Sequence, residues 1–231
     1  MIMKKVFITG GSGGLGITVV SKLLEQDYSL VLLFRSEASA ASFENEFSSY
    51  SERFSTIIGE VSDESTYQKV SSLHTDLSGV VHLAGGFNAA KDFTDDTLQS
   101  YLSMQQLNAQ SAFLVFKYLL PILLEKGAGS MITIGAKPAE QPSIENVAYA
   151  SSKSSLVHLT RSAAQLAKRT GVRVNCILPG IIKTKANESW GKTEEMKHWT
   201  TPEEIANVIE FLLSDASSGV NDTLVKMYGG I

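Results

Sequence analysis

KKVFITGGSGGLG, Lys4 to Gly16, sets a β-branched and aromatic run directly against a turn with five glycines in seven residues. The run Lys4–Thr9 predicts a strand, and the apolar pattern after the turn predicts a helix over about 14–26. Gly10, Gly14 and Gly16 each have a use there: a tight turn, close backbone approach to a pyrophosphate, and close packing of helix on strand. Ser12, Gly13 and Leu15 complete the turn. A helix that starts beside it offers unpaired N–H groups and a partial positive charge to phosphates. Glycines alone are a weak sign; between a strand and a helix they mark a dinucleotide-binding turn.

The same alternation continues along the chain. Strands are expected at Lys4–Thr9, Ser29–Phe34, Phe54–Gly59, Gly79–Ala84, Ser130–Gly135, Val172–Leu178 and Thr223–Met227. Helical patterns lie between them, at about 14–26, 37–49, 64–76, 95–125 (expected to be broken), 145–169 and 202–213. Strands separated by helices imply right-handed βαβ units and a parallel sheet. Runs such as LVLLF and GVVHLA suit strands covered on both faces. The expected architecture is α/β: a Rossmann-type doubly wound parallel sheet of about seven strands flanked by helices, in one dinucleotide-binding domain over 1–231.

Composition narrows the partners. The chain has 231 residues, 43% hydrophobic, enough for a substantial core, and a formal net charge of −4. That sign disfavours non-specific binding to nucleic acid or anionic membrane. Cys176 is the only cysteine and the four histidines are scattered, so no metal site is expected. The apolar run Ala112–Leu124 contains Lys117 and Pro121 and reads as a buried helix, too short for a bilayer. The N-terminus carries no signal-peptide pattern, and a cytoplasmic protein is expected.

The second strand ends at Phe34, where an NAD-selective site would usually place a carboxylate for the ribose 2′-hydroxyl. Arg35 follows and has the fork to pair with a 2′-phosphate, so NADP is expected, with NAD possible. The other reading of Arg35 is a solvated side chain beside Glu37.

Further motifs follow in order: GEVSD at 59–63, HLAG at 82–85, Asn108 in QLNAQ, Tyr149-Ala-Ser-Ser-Lys153, PGIIKT at 179–184, and Gly229-Gly230. Together with TGGSGGLG this series resembles the short-chain dehydrogenase/reductase family over essentially the entire chain. The resemblance implies a catalytic set of Tyr149, Lys153 and Asn108, the last holding a water-linked proton path to the lysine. It places Glu60 and Val61 at the adenine, Ala84 and Gly85 in the turn after strand four, and Tyr149 and Lys153 beside the nicotinamide ribose. Pro179, Gly180, Ile182 and Thr184 fall in the loop over the nicotinamide. It also implies a small-molecule substrate and a homodimer or homotetramer.

Tyr149 and Lys153 are four apart, so on a helix they share a face. An ammonium beside the phenol is expected to lower its pKa from about 10, making Tyr149 a proton donor. The family's serine thirteen residues before the tyrosine is here Ala136, which has no hydroxyl to polarise a carbonyl. Three explanations stand open. The substrate brings its own activation: GAKPAEQP, AYASSKSSLVHL, HLAGGF and HWTTPEEIANVIEFLL resemble dihydropteridine reductases, which reduce an electron-poor quinonoid pterin. Alternatively, Ser143, Asn146 or Lys137 replaces the serine. Or the chain is a catalytically impaired NADP(H) sensor or scaffold. Between Thr184 and Thr201, Trp190, Met196 and Trp199 are candidate walls for a flat substrate.

Overall fold

The computed structural model describes residues 3–230. Seven parallel strands, β1 (Lys4–Thr9), β2 (Tyr28–Phe34), β3 (Phe54–Ile58), β4 (Gly79–His82), β5 (Gly129–Ile134), β6 (Val172–Pro179) and β7 (Leu224–Met227), form one sheet in the order β3-β2-β1-β4-β5-β6-β7. The order reverses between β1 and β4, which opens a crevice at their carboxyl ends. Alternate residues enter opposite cores, as the two-residue period of a strand requires. Phe7, Leu33, Val80 and Met131 pack with α3 (Glu64–Leu73), α5 (Ser111–Lys126) and α6 (Val147–Leu166). Val6, Ile8, Leu32, Val81 and Ile132 pack on the other face with α1 (Gly16–Glu25) and α9 (Pro202–Leu213). Helix α2 (Glu37–Glu46) covers the β2–β3 end through Ala40 and Phe43.

Three expected strands end one or two residues early, at Ile58, His82 and Ile134. Their next residues still donate across the ladder, Gly59 N to Phe34 O, Leu83 N to Thr9 O and Gly135 N to Ile177 O, before the chain turns into site loops. The expected break within 95–125 is absent. Helix α4 (Leu98–Met104), a π-helical stretch Gln105–Gln110 and α5 run as one 29-residue helix, Leu98–Lys126. It is long and apolar enough to cross a bilayer by length and composition, but half of its most apolar window is buried inside the protein, as suits a core helix. The segment after Thr184 forms two one-turn helices, α7 (Lys185–Glu188) and α8 (Thr193–Met196).

Candidate active site

The glycine turn sits at the carboxyl end of β1, and two of its glycines are required by space. Gly10 has φ +73°, and a Cβ there would lie 2.7 Å from Ala84 N; one on Gly16 would lie 2.1 Å from Gly10 O. Residues Ser12, Gly13 and Gly14 stay exposed at the mouth of the crevice. Leu15 precedes the first turn of α1 and supplies no side-chain cap, while Ile17 N in that turn donates back to Gly13 O at 3.0 Å. A Cβ on Gly14 would touch the Thr184 methyl at 3.0 Å, which brings the Pro179–Thr184 loop against the phosphate turn. In that loop Pro179 ends β6 and Gly180 N donates to Met227 O. The Ile182 carbonyl accepts Asn187 Nδ2 at 2.8 Å, and Thr184 caps α7.

Beside the turn lies a cleft of about 340 Å³ lined by Gly10, Ser12, Arg35, Glu60, Val61 and Ala84, among others. Arg35 is within reach of Glu60, with Nε 3.9 Å from Oε2; Glu37, the partner considered from sequence, is not the one it meets. The glycine cradle, the start of α1 without a side-chain cap and the cation-bearing cleft fit a dinucleotide. Its diphosphate would lie on the turn and its adenosine end beside Arg35, Glu60 and Val61. Among the described residues no group of three or more metal-ligating side chains gathers.

Helix α6 brings Lys153 against Gly85 and Tyr149 against Phe87, in the segment that follows β4. Lys153 Nζ, buried, donates to Ile134 O at 2.8 Å and lies against Gly85, where an added Cβ would stand 3.1 Å away. Tyr149 is half-buried under Phe87, whose ring meets it edge-on with centroids 5.0 Å apart. The expected electrostatics are corrected here. Burial pushes the phenol up, to about 12, and drives the lysine down, to about 8. Desolvation disfavours both charged forms, and it is the cause of the phenol's rise where a lowering by Lys153 was expected.

Asn108 is buried in the π-helical stretch, a local widening that recurs at functional sites. Its Nδ2 donates to Ser152 Oγ (2.9 Å) and Gly86 O (3.1 Å), and its Oδ1 accepts Gly86 N (3.0 Å). Its side chain therefore fastens the turn after β4 to α6. Two residues of this framework are not singled out in the sequence reading. Ser152 joins Asn108 to the Tyr149 carbonyl. Fully buried His82 bridges Thr9 Oγ1 (2.8 Å) and Ser111 Oγ (3.1 Å), tying β1 and β4 to α5, and burial lowers its pKa to about 3. A lone polar residue closing an apolar strand was the available signal for His82.

Ala136 is buried just past β5 and leads into a 3₁₀ turn, Lys137–Ala139. The three candidate substitutes for a hydroxyl each make another contact. Ser143 Oγ accepts Glu145 N, Asn146 Oδ1 accepts Ala90 N, and the Lys137 ammonium stands 5.2 Å over the Tyr228 ring. Trp199 is buried packing, while Trp190 leans on it with centroids 5.2 Å apart and stays largely exposed. Met196 lies close to Gly191 at the base of that pair.

A family model described as short chain dehydrogenase matches residues 4–195. An uncharacterized oxidoreductase, YvrD, of Bacillus subtilis (strain 168) is 28% identical over 258 residues, covering 99% of this chain and 96% of that protein. Levodione reductase of Leifsonia aquatica is 29% identical over 252 residues, covering 97% and 92%. Among solved structures, ElxO with NADP bound superposes with a TM-score of 0.92 at 24% identity, covering 99% of this chain and 98% of that one. A short-chain type dehydrogenase/reductase from Mycobacterium ulcerans gives 0.90 at 25%, covering 98% and 89%. The family match runs from β1 through the glycine turn, Asn108, Tyr149, Lys153 and Thr184, and the chain belongs to the short-chain dehydrogenase family of oxidoreductases.

Proposed function

We propose that the chain, acting as one domain, is an NADPH-dependent reductase of a small carbonyl or quinonoid, pterin-like acceptor, with Tyr149 as proton donor. The observation that carries this is that α6 meets the turn after β4 at both residues, Lys153 Nζ against Gly85 and the Tyr149 ring against Phe87, next to Ala84 of the cleft. NADPH is favoured over NADH because Arg35, Ser36 and Ser39 line the adenosine end of the cleft, and because the structural neighbour ElxO holds NADP. Bound there, the dinucleotide supplies a hydride equivalent. The phenol, held protonated well above neutral pH, donates to the substrate oxygen or nitrogen as negative charge develops on it. Lys153, close to half-charged near pH 8, keeps an ammonium beneath the site at neutral pH and stabilises the phenolate that donation leaves. Asn108 and Ser152 hold α6 and the Gly85–Gly86 turn in register.

The buried methyl of Ala136 supplies no hydrogen bond to a carbonyl, a loss worth on the order of 10²-fold in rate for an unactivated ketone. An acceptor that is already electron-poor needs less help. The similarity to levodione reductase makes levodione a sensible member of a test panel with menadione and quinonoid dihydropterin. Turnover is expected with the activated acceptors and weak with simple aliphatic ketones, and Ala136→Ser is expected to raise the ketone rate. Tight NADPH binding with no turnover on any acceptor would reject the reductase reading in favour of a sensor or scaffold. Exposed Tyr101, Leu102 and Phe113 along the long helix support assembly of the reductase as a homodimer or homotetramer.

A further inference from the structure

Phe34 pairs with Ile58 in the parallel ladder and accepts Gly59 N, so Arg35, one residue on, and Glu60, two residues on, leave neighbouring strands side by side. Packing fixes the start of that second segment, because a Cβ on Gly59 would lie 2.5 Å from Thr66 Oγ1 of α3. Among the described residues lining the cleft, Arg35 is the only cation and Glu60 the only carboxylate. Their 3.9 Å approach makes them partners, and both are more than half exposed. We propose that Glu60 sets the cofactor preference by competing with a 2′-phosphate for the single guanidinium of Arg35. This rests on the reading that the cleft takes the adenosine end of a dinucleotide.

One guanidinium fork serves a carboxylate or a phosphate equally well. An exposed, screened ion pair is weak, so a phosphate dianion displaces it. Displacement leaves Glu60 in the same cavity, unpaired and repelling the phosphate. A dinucleotide with a free 2′-hydroxyl has no such contest, and the Arg35–Glu60 pair persists. The cleft thus takes both cofactors, and Glu60 limits the margin for NADPH.

Calorimetric titration of NADPH and NADH onto the full chain, without any acceptor, tests this. Glu60→Gln is expected to lower the NADPH Kd about fivefold at low ionic strength while the NADH Kd stays within about twofold. The gain should shrink as salt is raised. In an Arg35→Ala background the same substitution should yield less than half of that gain. Parallel shifts for both cofactors would overturn the proposal, leaving Glu60 a contact of the adenosine they share. A rise in the NADPH Kd relative to NADH would overturn it too, as would a full gain without Arg35. A wild-type chain that binds neither dinucleotide would instead sink the dinucleotide reading itself.

Discussion

Tyr149 and Lys153 are displaced in opposite directions by one cause, the loss of water around each. The phenol therefore holds its proton across the physiological range, and the lysine is the member of the pair that titrates near pH 8. The sign follows directly. Below about 8 the ammonium is present, and above it the charge that stabilises a departing phenol proton is lost. The kcat/KM for NADPH, which reports the free enzyme, should fall with an alkaline limb near pH 8. A profile flat to pH 10 would contradict the role given to Lys153. At the phosphate turn, Gly16→Ala would set a methyl 2.1 Å from Gly10 O, rigid backbone with nowhere to move. NADPH affinity should drop at least about tenfold in direct titration. The spacing of Tyr149 and Lys153 made their shared face legible in the sequence. The direction of the phenol shift was not, because it depends on Phe87 and on burial supplied by segments far away in the chain.

Helix α6 begins without a cap of its own. Asn146 sits in the left-handed region at φ 56°, gives no side-chain cap, and the first turn carries no acid. The cap comes from elsewhere: Asp96 Oδ2 accepts Ala148 N at 2.9 Å across 52 residues of chain. Two bonds between Ala90 and Asn146, each near 3 Å, clasp the loop after β4 to the same helix end. Asp96→Ala should cost about 1 kcal/mol in urea unfolding, and Asp96→Asn, which keeps an acceptor, less than half of that. Equal losses would mean that charge, not capping, is what Asp96 contributes. Seven strands could be read from the sequence because two-residue alternation and β-branching are local signals. The π-helical stretch and the remote cap were hidden: Gln105–Gln110 has ordinary helix composition, and no local pattern points from Ala148 to Asp96.

Across the whole molecule, the carboxyl ends of β1, β4, β5 and β6 converge on one crevice, and His82 ties the first two of these to the long helix. That bridge carries a pH signature. The unfolded chain protonates this ring below about 6.5 and the folded one only near 3, so the unfolded state binds the extra proton between those values. Stability from the neutral ring is complete above pH 6.5 and is lost as pH falls toward 3. Urea midpoints should therefore drop between pH 6.5 and 4.5 more steeply in wild type than in His82→Asn; parallel curves would remove His82 from the acid response. The parallel, doubly wound sheet was legible from the βαβ alternation, whereas the closing of the site by a buried histidine was not. The central chemistry is tested most directly by a single turnover. Chain preloaded with NADPH is mixed with the best acceptor of the panel, and loss of the reduced cofactor is followed in wild type and Tyr149→Phe. Unchanged NADPH binding with a rate at least about 100-fold slower in Tyr149→Phe is expected. Equal rates in the two proteins would contradict the assignment of the proton donor.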